Sequence, residues 1–167
     1  MPKIPFAHQW IIPESRLISL KDCENGCLHS DFVSNIPGFK YYLTIFPNEK
    51  NYEQRKQTCA YLHVILGNVK KVEADFTLKI DSANFSFKNR ATFEESRGHG
   101  PFVADAKDFF DPEKKFIFDG QCIIKIYGTF EFETDEKSTS DYDQRRELVT
   151  ELWEDRDSKD FTLNVWN

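Results

Sequence analysis

The chain has 167 residues, enough for one domain of roughly 130 residues plus an extension. Its net charge of −6 and pI near 5.3 exclude the basic footprint that a phosphate-backbone partner requires. No apolar run approaches the roughly 18 residues of a membrane span, and the opening Met-Pro-Lys-Ile-Pro-Phe-Ala-His lacks a signal-peptide pattern. The expectation is therefore a cytoplasmic or nuclear protein with neither nucleic acid nor membrane as partner. In such a reducing compartment Cys23, Cys27, Cys59 and Cys122 are expected to be free thiols.

Taken in order, residues 8–12 (His-Gln-Trp-Ile-Ile) predict a first strand stopped by Pro13, and a polar turn follows through Asn25-Gly26. Residues 27–33 and 39–46 predict the next two strands. In the second of these, Phe39, Tyr41, Leu43 and Ile45 alternate with Lys40, Tyr42, Thr44 and Phe46 until Pro47. Residues 48–58 are polar and charged and predict a loop or one frayed helical turn. Residues 59–66 and 73–81 predict a pair of strands joined through Gly67-Asn68. The second is the clearest in the chain, with Ala74, Phe76, Leu78 and Ile80 on one face and Glu73, Asp75, Thr77, Lys79 and Asp81 on the other.

Alternation weakens over 84–88 and dissolves between 89 and 110, where Gly98-His99-Gly100-Pro101 precedes a single predicted helical turn at 105–110. A short strand is expected at 116–118. The last long strand, 122–133, sets Cys122, Ile124, Ile126, Gly128, Phe130 and Phe132 on one side. Strands of this kind build an antiparallel sandwich or barrel, and the sixteen phenylalanines suit its half-buried surfaces. Beyond Phe132 the chain turns charged and hydroxyl-rich over 133–143. A helix is predicted over 140–154, with Leu148, Val149, Leu152 and Trp153 on its apolar stripe, and a strand over 161–166.

Catalytic motifs are missing: there is no Gly-x-Ser-x-Gly elbow, no phosphate loop and no His-Glu-x-x-His. Cys23, Cys27 and His29 offer at most three zinc ligands, so two ordinary thiols around a turn are the plainer reading. The clusters Asp105/Asp108/Asp111 and Asp155/Asp157/Asp160 lack the glycine and terminal glutamate of a calcium loop. His99, between two glycines, is a base or simply exposed. Cys59 and His63 share a strand face about 13 Å apart, too far for a thiolate–imidazole pair. No enzyme, cofactor or metal is expected, and a thiol hydrolase using Cys59 or Cys23 is the weaker rival.

Four segments together resemble the meprin and TRAF homology (MATH) domain: His8-Gln-Trp-Ile-Ile12, residues 39–47, Tyr61-Leu-His-Val-Ile-Leu66 and Cys122-Ile-Ile-Lys-Ile-Tyr127. The stretch 98–110 looks like that domain's segment before its last strand. Residues 147–154 and 160–165 resemble the opening helix and first strand of a BTB domain, as in nematode-type MATH–BTB proteins. The resemblance implies an all-β, antiparallel eight-stranded sandwich with a C-terminal helix. Residues 1–133 would form the MATH domain, 134–143 a linker and 144–167 an N-terminal BTB fragment.

It further implies a non-catalytic module that captures a short extended peptide of a substrate protein, as the substrate-binding part of a cullin-RING ubiquitin ligase adaptor does. A cullin or BTB partner would be open only to a longer form. The alternative is a truncated paralogue with a scaffold or sequestering role. Carried over position by position, the family's groove falls at Thr44, in place of an arginine, and at His63, in place of a tyrosine. It continues at Phe76, near Phe93, and at His99, Gly100 and Phe102 in the loop. On the residues alone, Phe76 serves core packing as readily as ligand contact, and His63 is more readily a partly exposed strand residue.

Overall fold

A computed structural model describes residues 3–51 and 53–133. Strand β5 (Val72–Ile80) buries every second side chain, as its alternation requires. It is one of the two inner strands of a four-stranded antiparallel sheet. On one side it pairs with β9 (Gln121–Phe132), which pairs in turn with β1 (Lys3–Pro13); on the other it pairs with β6 (Phe85–Phe93). The register sets Phe6, Gly128, Phe76 and Asn89 in one row and His8, Ile126, Leu78 and Phe87 in the next, so the inward faces coincide across the sheet.

The second sheet is also antiparallel and has five strands. Its order is β2 (Leu28–His29), β3 (Phe39–Lys50), β4 (Lys56–Leu66) and β7 (Arg97–His99), with β8 (Phe102–Asp105) on the same edge of β4 beyond β7. The sheets share one core, most visibly around Phe130. Its ring stacks on Phe6 at 3.9 Å and meets Phe39 and Tyr41 of the opposite sheet at 4.9 and 5.1 Å. Burying such a ring is worth about 1.5–3 kcal/mol, and each well-set aromatic pair adds about 0.5–1.5 kcal/mol. An antiparallel two-sheet, all-β architecture is thus as the alternation predicts.

Several boundaries differ from those predicted. Strand β3 runs through Pro47 to Lys50 because the register shifts between Phe46 and Glu49, and a bulge tolerates a residue without an N–H. The Thr58 hydroxyl donates to the Pro47 carbonyl at 2.8 Å, so β4 begins at Lys56 inside the predicted loop. The strand expected at 27–33 shrinks to two residues and a bridge between Val33 and Tyr41, because Ser30 accepts the Leu43 N–H through its hydroxyl. The strand expected at 116–118 is one bridge, Phe118 to Gln121, around a turn at Asp119-Gly120 with positive φ at both.

Strand β6 extends to Phe93, well past the weak alternation. A short helix α1 (Glu14–Ile18) occupies sequence read as a turn, and α2 (Ala106–Phe109) matches the predicted helical turn. Nine strands form among the described residues, where the family resemblance implies eight. The predicted linker, helix and strand of 134–167 lie outside the described residues. No helix among the described residues is long and apolar enough to cross a membrane.

Candidate functional site

The outward face of the five-stranded sheet carries rings where a solvated face would carry charge. In β3 the outward residues are Lys40, Tyr42, Thr44 and Phe46, and in β4 they are Ile65, His63, Tyr61 and Cys59, each directly opposite its partner in that order. Tyr42 and His63 stack at 4.9 Å with planes 10° apart. Tyr61 meets His63 at 6.3 Å and Phe46 at 5.6 Å, both edge-on. His29 closes on Tyr42 at 5.6 Å, and Phe32 meets the same tyrosine at 4.9 Å. Phe32 is 57% exposed, an unusual state for a ring already packed on another.

Beside this row, β7 and the turn after it bring two glycines. Gly98 lies opposite His63, and a Cβ there would come within 2.6–2.9 Å of the imidazole. A Cβ at Gly100 would collide with the Ala60 carbonyl oxygen and the Tyr61 Cα, which are backbone and cannot swing aside. The main chain therefore packs closely on β4, and the His63 ring lies over Gly98. The result is a shallow trough lined by aromatic rings, one of which lies over the glycine main chain. Phe102, opposite Cys59 and 53% exposed, stands at its far end.

The candidate residues from the sequence divide between two faces. His63, Gly100 and Phe102 line the trough. Thr44 belongs to the same face but is 2% exposed beneath His29, whose Nδ1 lies 3.4 Å from its hydroxyl. Phe76 and Phe93 are fully buried in the opposite sheet, and His99 lies opposite the inward Leu62, its ring 5.0 Å from Phe93. For Phe76 and Phe93, groove contact is corrected to core packing, and His99 is half-buried on the same inward side, because alternation fixes which residues share a face and the pairing register fixes which way it looks. Tyr42, Tyr61 and Phe32 belong to the site and were passed over; aromatics on the polar side of a strand were the available signal.

Electrostatics at the site favour neutral groups. Burial, then the nearby His29, holds His63 below the usual imidazole range, and its Nε2 has no partner among the described residues. The Tyr61 hydroxyl donates to Glu49 Oε2 at 2.9 Å, and its pKa is raised, chiefly by burial. Burial, then the hydrogen bond to Glu49, pushes the Cys59 thiol up to about 12, and burial does the same to Cys122. A thiol so held is a poor nucleophile at neutral pH. In the folded protein iodoacetamide is expected to label exposed Cys23 and to leave Cys59 and Cys122 untouched, as read by peptide mass spectrometry; rapid labelling of Cys59 would contradict this assignment.

Among the described residues no group of three or more His, Cys, Asp or Glu side chains is placed to hold a metal ion. No family model matches the sequence, and no curated protein matches it.

Proposed function

We propose that the chain is a MATH-type peptide-recognition module, non-catalytic and acting in the cytoplasm or nucleus, that captures a substrate protein through a short extended segment. The observation that carries the reading is the trough. Gly98 and Gly100 let their main chain pack closely on β4, with the His63 ring laid over Gly98 and exposed Phe102 at the end. An extended segment laid along such an edge exchanges main-chain hydrogen bonds, while ring-lined hollows select alternate side chains. Both edges of the other sheet are guarded instead, β1 by Pro5 and Pro13 and β6 by Lys88 and Arg90. Within this reading, assembly with a cullin belongs to a form that contains a whole BTB domain.

The test is a titration of a bound peptide against Phe102→Ala. Loss of about 1–2 kcal/mol of binding free energy with an unchanged melting temperature is expected if the ring is an anchor. Unchanged affinity in the folded variant would remove Phe102 from the site. Unchanged affinity in both Phe102→Ala and His63→Ala would remove the trough.

A further inference from the structure

Resting on that reading, we infer that the segment taken by the trough is bipolar: an extended peptide bearing an acidic side chain and, six to eight positions away in either chain order, a basic one. The two ends of the trough carry opposite charge. At one end lies Lys40, whose ammonium sits 4.7 Å from the centre of the Phe32 ring, with His63 one outward row further in and His29, opposite Thr44, one row beyond that. At the other end lies a row across three strands, Glu49, Gln57 and Asp105.

Several charges elsewhere on the described surface are paired within the protein. Arg90 reaches both Glu73 and Glu131, Lys3 reaches Glu131, and Lys79 and Lys125 share Asp81. Lys40, Glu49 and Asp105 have no oppositely charged partner within ion-pair distance among the described residues. The Tyr61 hydroxyl donates to the Glu49 carboxylate, which also lies within hydrogen-bond reach of the Cys59 thiol. Lys50, next along β3, is drawn off to Glu24 and so does not neutralise that end. The rings of Tyr61 and Phe102 occupy the span between the ends.

Distance sets the spacing. From the Gln57 row to the His63 row is six residues of β4 and to the Lys40–Ile65 row eight, which is about 20–26 Å at a strand's rise per residue. A peptide in register with the sheet covers the same span with the same number of residues. Because alternate side chains face the trough, acid and base must be separated by an even number, with apolar residues at the even positions between them.

The experiment is selection of random dodecapeptides by messenger-RNA display against the purified full chain, followed by fluorescence polarisation of an enriched peptide. The expected enrichment is an acid and a base six or eight positions apart. Lys40→Glu should then weaken binding about two- to fivefold, Asp105→Lys should act likewise, and each should recover when the facing peptide residue is reversed in charge. Affinity should also fall as salt is added. Enriched peptides that lack the charge pattern, yet lose binding in Phe102→Ala, would overturn the bipolar class and leave the trough standing. Absence of any enriched peptide would overturn the trough itself. Thermal melts of both charge variants exclude loss through unfolding.

Discussion

Replacing Phe76 by alanine is expected to lower stability by about 3–5 kcal/mol, a cost typical of a phenylalanine removed from a packed interior. Phe76 is 1% exposed on an inner strand of its sheet, with Phe87 at 6.5 Å and Gly128 directly opposite on β9. The glycine makes the site unforgiving. A Cβ there would meet the Asp75 carbonyl and Phe76 Cα, so β9 can supply no side chain to fill the void. For a domain of this size the melting temperature should fall by more than about 10 °C. Phe102→Ala, by contrast, should stay within about 0.5 kcal/mol of the parent. Urea unfolding of both variants decides between core and ligand contact. A Phe76→Ala protein as stable as the parent would return that residue to the site.

The second large effect concerns acid. His8 lies at 1% exposure between the two sheets, opposite Ile126, and neither ring nitrogen has a partner among the described residues. Burial carries its pKa from 6.5 down to about 4, against a smaller opposing pull from Asp31. The unfolded chain therefore takes up this proton more readily than the folded one. Stability from His8 is complete above pH 6.5 and drains away as the pH falls from there towards 4. A difference of 2.5 pKa units corresponds to about 3 kcal/mol.

Depressed His63 and His99 act in the same direction, as does Asp81, whose carboxyl is lowered chiefly by its hydrogen bond to Lys125. Only a difference measurement isolates His8. In His8→Leu the loss of stability between pH 7.5 and 4.5 should shrink by most of that amount. At pH 7.5 the variant should be at least as stable as the parent, since two unpaired buried nitrogens are gone. Identical pH dependence in parent and variant would show that His8 stays reachable by water.

The architecture was legible where a strand has one dry face and one wet face. β5 and β9 are buried at every second position along most of their length, so period-two alternation describes them well. β6 is an edge strand with Asn89 on its inward side and Phe85 and Phe87 only half-buried, so its contrast fades before Phe93. α1 is a single turn that buries only Leu17, too short for helical periodicity to register. The candidate site was half legible. His63 and Phe102 lie on the outward face of the five-stranded sheet. His99 does not, because a residue between two glycines has no neighbours to reveal its face, and only the pairing of Gly98 with His63 turns it inward. Tyr61 was hidden for a different reason: it shares its strand with His63, and a single groove position had been assigned to that strand.

The close approach of Gly98 and Gly100 to β4 has a price in solubility. The main chain of this margin, with two glycines between Arg97 and Phe102, can pair with whatever strand arrives first, including one from a neighbouring copy of the same protein. Concentrated, unliganded preparations should therefore self-associate from this side, and an occupant of the trough would act as their stabilising cover.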